Sequence, residues 1–300
     1  MKKSPDYPSP EVLDLLPTFP SNRSFEERVA DLELSPLLLS KLVEYSSRSF
    51  LSRDWSKICN ICISVNDEKE LGGEILLRRH RFTELLFQSS FCKQAALTVV
   101  QNIYLFQKRH IFFAPEGLSL EAERQKALTL FSTPQIKNIP LSSTLQHLVI
   151  ARIWHRITSQ LTQKQLNDPI FLSLHQIIEE LNTLRNIYVL LSTRLISYLT
   201  GKIASTFRQS LSHEDAVQIG FFGVARAAYR YHHSCGVRFS TFSAKWIFRE
   251  VQRQALSGRL IRLSSNIFDQ LSRATRRGDN DSQRTIIATL EKATPLQIFD

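Results

Sequence analysis

Only 9 glycines and 11 prolines punctuate the 300 residues of this chain, and that scarcity limits its folding more than any other feature. Folds built from many short strands need both residues often, whereas helices exclude them from their interiors. An all-α architecture follows. Apolar residues make up 43% and charged residues 22% of the chain, enough to bury a substantial core, and the length suits two domains. Residues 1–30 carry Pro5, Pro8, Pro10, Pro17 and Pro20 and read as a flexible arm. Residues 31–170 read as a multi-helix N-terminal domain. Its candidate helices hold Leu37, Leu38, Leu39, Leu42 and Val43, then Glu74 to Phe87, then a short helix at 119–131 inside a proline-marked connection. A second helical domain is expected over 171–275, followed by a tail at 276–300.

Within the second domain, a long helical stretch is expected from about 170 to 207. Ser212, with Asp215 three residues on, predicts the start of a helix reaching about Tyr231. A turn holding Gly236 follows. Ser240 or Thr241 is then expected to cap a helix that runs to about Ser257 and ends at Gly258.

Charge is concentrated in that last stretch. Residues 225–262 hold Arg226, Arg230, Arg238, Lys245, Arg249, Arg253, Arg259 and Arg262 against a single acid, Glu250. Two stripes run along the expected helix. Ala244, Ile247, Phe248, Val251 and Ala255 form an apolar, core-type face. Phe242, Lys245, Trp246, Arg249, Gln252 and Arg253 form a second stripe, expected to face outward, in which rings alternate with cations. Cations track a phosphate backbone, and flat rings stack on unpaired bases at about 1–3 kcal/mol each. Arg238 and Phe239, just before the helix, extend the same chemistry. The ligand so described is nucleic acid, and melted DNA above intact duplex, because rings find nothing to stack on inside a closed helix. On the preceding helix, Ala216, Gly220, Gly223, Val224, Ala227, Ala228 and Tyr231 make a face of mostly small residues fit for close helix packing. Asp215, Gln218 and Phe222, at i, i+3 and i+7, make a mixed patch suited to a protein partner.

Residues 214–263 resemble region 2 of the sigma-70 family, the promoter-specificity subunits of bacterial RNA polymerase. The resemblance runs through Asp215-Ala216-Val217-Gln218-Ile219-Gly220 and Gly223-Val224-Ala225-Arg226-Ala227. It continues in Gly236-Val237-Arg238-Phe239-Ser240-Thr241-Phe242-Ser243, Trp246-Ile247 and Arg259-Leu260-Ile261-Arg262-Leu263. It implies a sigma region 2-like helical bundle and a transcription initiation factor that binds core RNA polymerase and recognises and melts the minus-ten promoter element. It further implies that Asp215 and Gln218 dock on the polymerase, and that Phe239, Phe242 and Trp246 open the element and hold its non-template strand. Arg249 and Gln252 would read its upstream edge, while Arg238, Arg253, Arg259 and Arg262 would engage phosphates. An anti-sigma protein is a further partner the family allows. The segment departs from the family pattern at Ile219, Phe221, Val237 and Lys245. After residue 275 the chain is too short for the domain that reads the minus-thirty-five element. Two rival readings therefore stand beside the first: a degenerate sigma-like regulator that binds polymerase without reading promoters, and a polymerase-independent single-stranded DNA-binding protein.

Other signals carry less. Cys59 and Cys62 have zinc-ligand spacing, with Cys92 and His80 as conceivable partners, but a second pair is missing. No metal or cofactor is expected. Nucleotide-binding glycine motifs and paired catalytic carboxylates are absent from the sequence, so no enzyme activity is expected. No apolar run approaches the roughly 18 residues of a membrane span, and the scattered cysteines suit a reducing cytoplasm.

Overall fold

A computed structural model describes residues 16, 23–51, 63–103, 110–113, 118–133, 139–161, 165–206, 211–231, 236–257 and 270. Among them there are ten α-helices and no strand, only an isolated bridge between Phe112 and Leu145. The helices are α1 (Phe25–Ala30), α2 (Pro36–Leu51), α3 (Val65–Leu86), α4 (Ser90–Gln101), α5 (Leu120–Ser132), α6 (His147–Ser159), α7 (Pro169–Leu191), α8 (Thr193–Thr206), α9 (His213–Ala228) and α10 (Phe239–Ser257). Local chemistry starts many of them. Ser24, Ser64, Ser89, Ser119 and Asp168 each accept a backbone N–H of the turn they open, and Pro169 follows Asp168 at the first helical position. No described helix is long and apolar enough to cross a membrane.

The chain divides into two compact units. Unit 1 comprises Met1–Arg194 and Val224–Ser243, and unit 2 comprises Leu195–Gly223 and Ala244–Asp300. The spine of unit 1 is the contact of α3 with α7. Leu71, Ile75, Arg78, Phe82 and Leu86 repeat at helical spacing on α3, and Phe171, Leu174, Ile178, Leu181, Leu184 and Tyr188 do so on α7; all are buried. Arg78 interrupts the apolar stripe and is 2% exposed. Its guanidinium pairs with Glu74 at 3.1 Å and with Glu180 of α7 at 2.5 Å, so the charge enters the core already neutralised. Burial pushes the Glu74 carboxyl upward despite the nearby guanidinium. On α6, Val149, Ile150, Ile153, Trp154 and Ile157 are buried, and Trp154 stacks on Phe171 at 5.5 Å. This helix falls in a stretch to which the sequence reading assigned none, although its apolar spacing is regular.

The helical stretch expected from about 170 to 207 is divided at Ser192 into α7 and α8, without glycine or proline to mark the break. The Ser192 amide bonds back to the Tyr188 and Val189 carbonyls, and the Thr193 hydroxyl donates to the Leu190 carbonyl. A hydroxyl side chain thus takes up a carbonyl that a continuous helix would use. Phe25–Ala30, inside the stretch read as a flexible arm, is a capped helix with Val29 buried.

A second polar knot in unit 1 centres on Tyr229, in the turn after α9. Its hydroxyl donates to the Asn182 side chain and accepts from Arg185 Nη1 at 2.9 Å. Its carbonyl accepts from Arg79, and its ring lies parallel to His147 at 3.9 Å. Burial, then Arg79, Arg230 and Arg185, hold the His147 imidazole well below its ordinary pKa of 6.5.

Two outcomes are expected. Glu180→Gln should cost about 3 kcal/mol in urea unfolding, because it leaves a buried guanidinium half-compensated. The double variant Arg78→Met/Glu180→Leu should be markedly milder than the single one. Because the folded pKa of His147 lies below its unfolded value, its contribution is complete above about pH 6.5 and is lost as pH falls. Stability should therefore drop by up to about 1.4 kcal/mol per pH unit below that point, and His147→Gln should flatten this slope in melts at graded pH.

Candidate nucleic-acid interface

The α8, α9 and α10 residues of unit 2 meet at two glycines. A Cβ on Gly220 would stand 2.7 Å from Ile196 Cγ2 and 3.0 Å from Thr200 Cγ2. A Cβ on Gly223 would stand 2.9 Å from the Ile247 Cα and 3.0 Å from its amide nitrogen. No side chain fits between α9 and the α10 backbone there, so the absence of a Cβ sets how closely the helices approach. That contact also fixes the rotation of α10. Ile247, Val251 and Ala255 turn inward and are fully buried. Lys245, Arg249 and Arg253, at i, i+4 and i+8, are left exposed on one face.

The two expected stripes are therefore only partly right. Phe248, assigned to the core face, is 41% exposed, whereas Gln252, assigned to the outer stripe, is 5% exposed. Phe242 and Trp246 are half-buried on the same helix as the cations. Glu250, the acid of this stretch, is buried and accepts Arg253 Nη2 at 2.5 Å. Lys245 and Arg249 make no ion pair with any described residue.

The start of α10, in unit 1, departs further from expectation. The helix begins at Phe239 rather than after a Ser240 or Thr241 cap. Glu68 of α3 supplies the cap from a distance. Its carboxylate accepts the Phe239 amide at 3.2 Å and Arg238 Nε at 2.8 Å, while Arg238 Nη2 donates to the Ile63 carbonyl at 2.8 Å. A carboxylate at this position answers the positive end of the helix dipole. Phe239 is 3% exposed, which corrects its placement on an outward face. Its ring packs against Tyr188 at 4.3 Å and edge-on against Tyr231 at 5.2 Å, and Tyr231 also meets Phe242 at 5.6 Å. Tyr231 donates its hydroxyl to the Val237 carbonyl, holding the turn in which Gly236 adopts φ +69°. Glu68, Tyr188 and Tyr231 were not singled out from the sequence as site residues. No local signal marks Glu68, which lies 170 residues from its arginine partner.

On α9, the Ser212 hydroxyl accepts the Asp215 amide at 3.1 Å and donates to the Asp215 carboxylate at 2.8 Å, as the spacing predicted. Asp215 and Gln218 are exposed and Phe222 is 56% exposed, while Ile219 and Phe221 are half-buried. Arg259, Arg262 and the expected stop at Gly258 lie outside the described residues, as do Cys59 and Cys62. Among the described residues, no group of histidines, cysteines and acids is arranged to hold a metal, and Cys92 is a buried free thiol.

A family model for sigma-70 region 2 matches residues 191–259, which contain α8, α9 and α10. Over this segment the chain is a divergent relative of region 2 of the sigma-70 family. The RNA polymerase sigma factor SigA of Nostoc sp. is 36% identical over 66 residues, which are 22% of this chain and 17% of that protein. SigA1 of Synechococcus elongatus is likewise 36% identical over 66 residues, 16% of its length. The chain thus spans about a sixth of the length of these curated relatives. No solved structure matches. The matched segment owes its geometry to the two α9 glycines, and a contrast between glycines checks this. A methyl group added at Gly73, in the α3 interior, would have nothing within 4 Å of it, so Gly73→Ala should stabilise by about 1 kcal/mol through helix propensity. Gly223→Ala should instead destabilise by about 1–3 kcal/mol in chemical unfolding, because the α10 backbone has to move.

Proposed function

We propose that this chain is a sigma-like transcription initiation factor that binds core RNA polymerase and captures the melted minus-ten element of a promoter. The observation that carries the reading is the exposed face of α10. Lys245, Arg249 and Arg253 recur every helical turn there, on a helix that also carries the half-buried rings of Phe242 and Trp246, inside the segment matched to sigma-70 region 2. The cations suit a strand's phosphates, and the rings offer stacking surfaces for flipped or unpaired bases. Phe239 acts from within, holding the start of the helix through Tyr188 and Tyr231. Gln252 is buried and supports the helix rather than reading a base. Asp215, Gln218 and Phe222 form the patch for polymerase, with Phe222 as an exposed aromatic anchor among polar neighbours.

One observation favours a second reading, a regulator that binds polymerase without reading promoters. Arg238, a phosphate-contact position by family resemblance, is engaged by Glu68 and the Ile63 carbonyl.

Run-off transcription from a fragmented genomic library, with cognate core RNA polymerase, tests the first reading. Specific start sites are expected with the wild-type chain. Phe242→Ala/Trp246→Ala should reduce them by about a hundredfold, since two stacking surfaces of about 1–3 kcal/mol each are removed. Stable association with core but no specific transcripts would establish the regulator instead. Lys245→Gln/Arg249→Gln should weaken binding to single-stranded DNA across sequences and lower the salt dependence by about one ion per cation removed, measured by fluorescence anisotropy at graded salt.

A further inference from the structure

The first turn of α3 carries two buried acids that serve different ends. Asp67 closes its own helix start, accepting the Ser64 amide at 2.9 Å, and pairs with Lys41 at 3.2 Å. Glu68 turns instead to the residues that open α10. Its Oε1 accepts Arg238 Nε at 2.8 Å and its Oε2 accepts the Phe239 amide at 3.2 Å. Arg238 Nη2 donates to the Ile63 carbonyl, just before the α3 cap, at 2.8 Å. The pair is lopsided: the Glu68 side chain is 6% exposed and that of Arg238 is 46% exposed. Gly236, Val237, Ser240 and Thr241, its neighbours in sequence, are exposed as well. The cation is thus presented to solvent with its counter-charge on the protein side.

An arginine beside the amides of a helix start is an anion site of the kind that holds phosphate. Here a carboxylate of the chain itself already fills it. Nε and Nη2 form one two-donor edge of the guanidinium, suited to gripping a phosphate bidentately. Both are committed, to Glu68 and to the Ile63 carbonyl. We propose that Glu68 competes with nucleic-acid phosphate for Arg238 and so holds down the affinity of the start of α10 for a strand. This restraint presupposes that α10 is the nucleic-acid face, and it adds to that face a regulating residue 170 positions away in sequence. Two effects of one carboxylate are opposed. As a cap, Glu68 keeps the first turn of α10 in place. As a counter-charge, it cancels the cation that leads into that turn. A strand gains the bound edge of Arg238 only by displacing an internal anion, so one ion pair replaces another.

The test titrates the full chain with a fluorescent single-stranded oligonucleotide at graded salt, read by anisotropy. Glu68→Gln should bind about tenfold more tightly at low salt, the worth of one charge-assisted contact. Its salt dependence should rise by about one ion. The gain should vanish when Arg238→Gln is added, because no cation is left to liberate. A purely structural cap has the opposite sign: loss of Glu68 would loosen the first turn and weaken binding in both backgrounds. Weaker or unchanged binding by Glu68→Gln therefore overturns the competition. So does an equal gain with and without Arg238, which would reflect net charge alone. Should Glu68→Gln fail to fold, the Nε signal of Arg238 in the wild-type chain decides. It should move as the oligonucleotide saturates the protein, and an unmoved signal rejects the competition. Lys245→Gln/Arg249→Gln, run alongside, separates this restraint from the proposed function. If that variant loses binding while Glu68→Gln gains none, only the competition at Arg238 fails; if no form of the chain binds, both fail.

Discussion

Among the described residues of unit 2, Gly223 of α9 lies against the backbone of α10, and the placement of the basic face depends on that approach. With 2.9 Å between a would-be methyl and the Ile247 Cα, α10 has one rotation about its axis that permits the contact. Ile247, Val251 and Ala255 must then point inward. The exposed order Lys245, Arg249, Arg253 is the other side of the same constraint. Two glycines that weaken an isolated helix by about 1 kcal/mol each are therefore retained where their lack of a side chain decides the geometry.

The described part of unit 1 is organised by a different constraint, the handling of buried charge. Along α3, the consecutive residues Arg78 and Arg79 face opposite solutions. Arg78 meets Glu74 and Glu180 and becomes part of the α3–α7 spine. Arg79 meets a carbonyl, an aromatic pair and two more arginines. Glu68, nearer the start of the same helix, carries the opposite charge and secures Arg238 together with the first turn of α10. A single helix thus distributes its ionic side chains between core packing and the mounting of another helix.

What the sequence made legible follows from which interactions are local. The Ser212–Asp215 start of α9, the turn at Gly236, the small-residue face around Gly220 and Gly223, and the inward trio on α10 all rest on residues within a few positions of one another. The helix class itself rests on the scarcity of glycine and proline. The start of α10 was misplaced because its cap is Glu68 and not a neighbouring hydroxyl. Phe239 was placed outward because its partners, Tyr188 and Tyr231, come from separate stretches of chain. Phe248 and Gln252 exchanged roles for the same reason: a strict apolar-versus-polar reading of one helix cannot register what its neighbours cover. The break at Ser192 escaped notice because hydroxyl-bearing residues, rather than glycine or proline, interrupt the helix there.

The long-range cap on α10 bears on how far this chain can be dissected. The matched family segment begins at residue 191, yet the carboxylate that caps α10 sits on α3, and Tyr188, against which Phe239 packs, lies on α7. Excising residues 191–259 would strip the helix of its capping acid, set Arg238 loose and bare an aromatic ring to water. Homology and autonomy of folding thus draw different borders here. The smallest fragment that keeps the first turn of α10 intact has to reach back through α7 to α3.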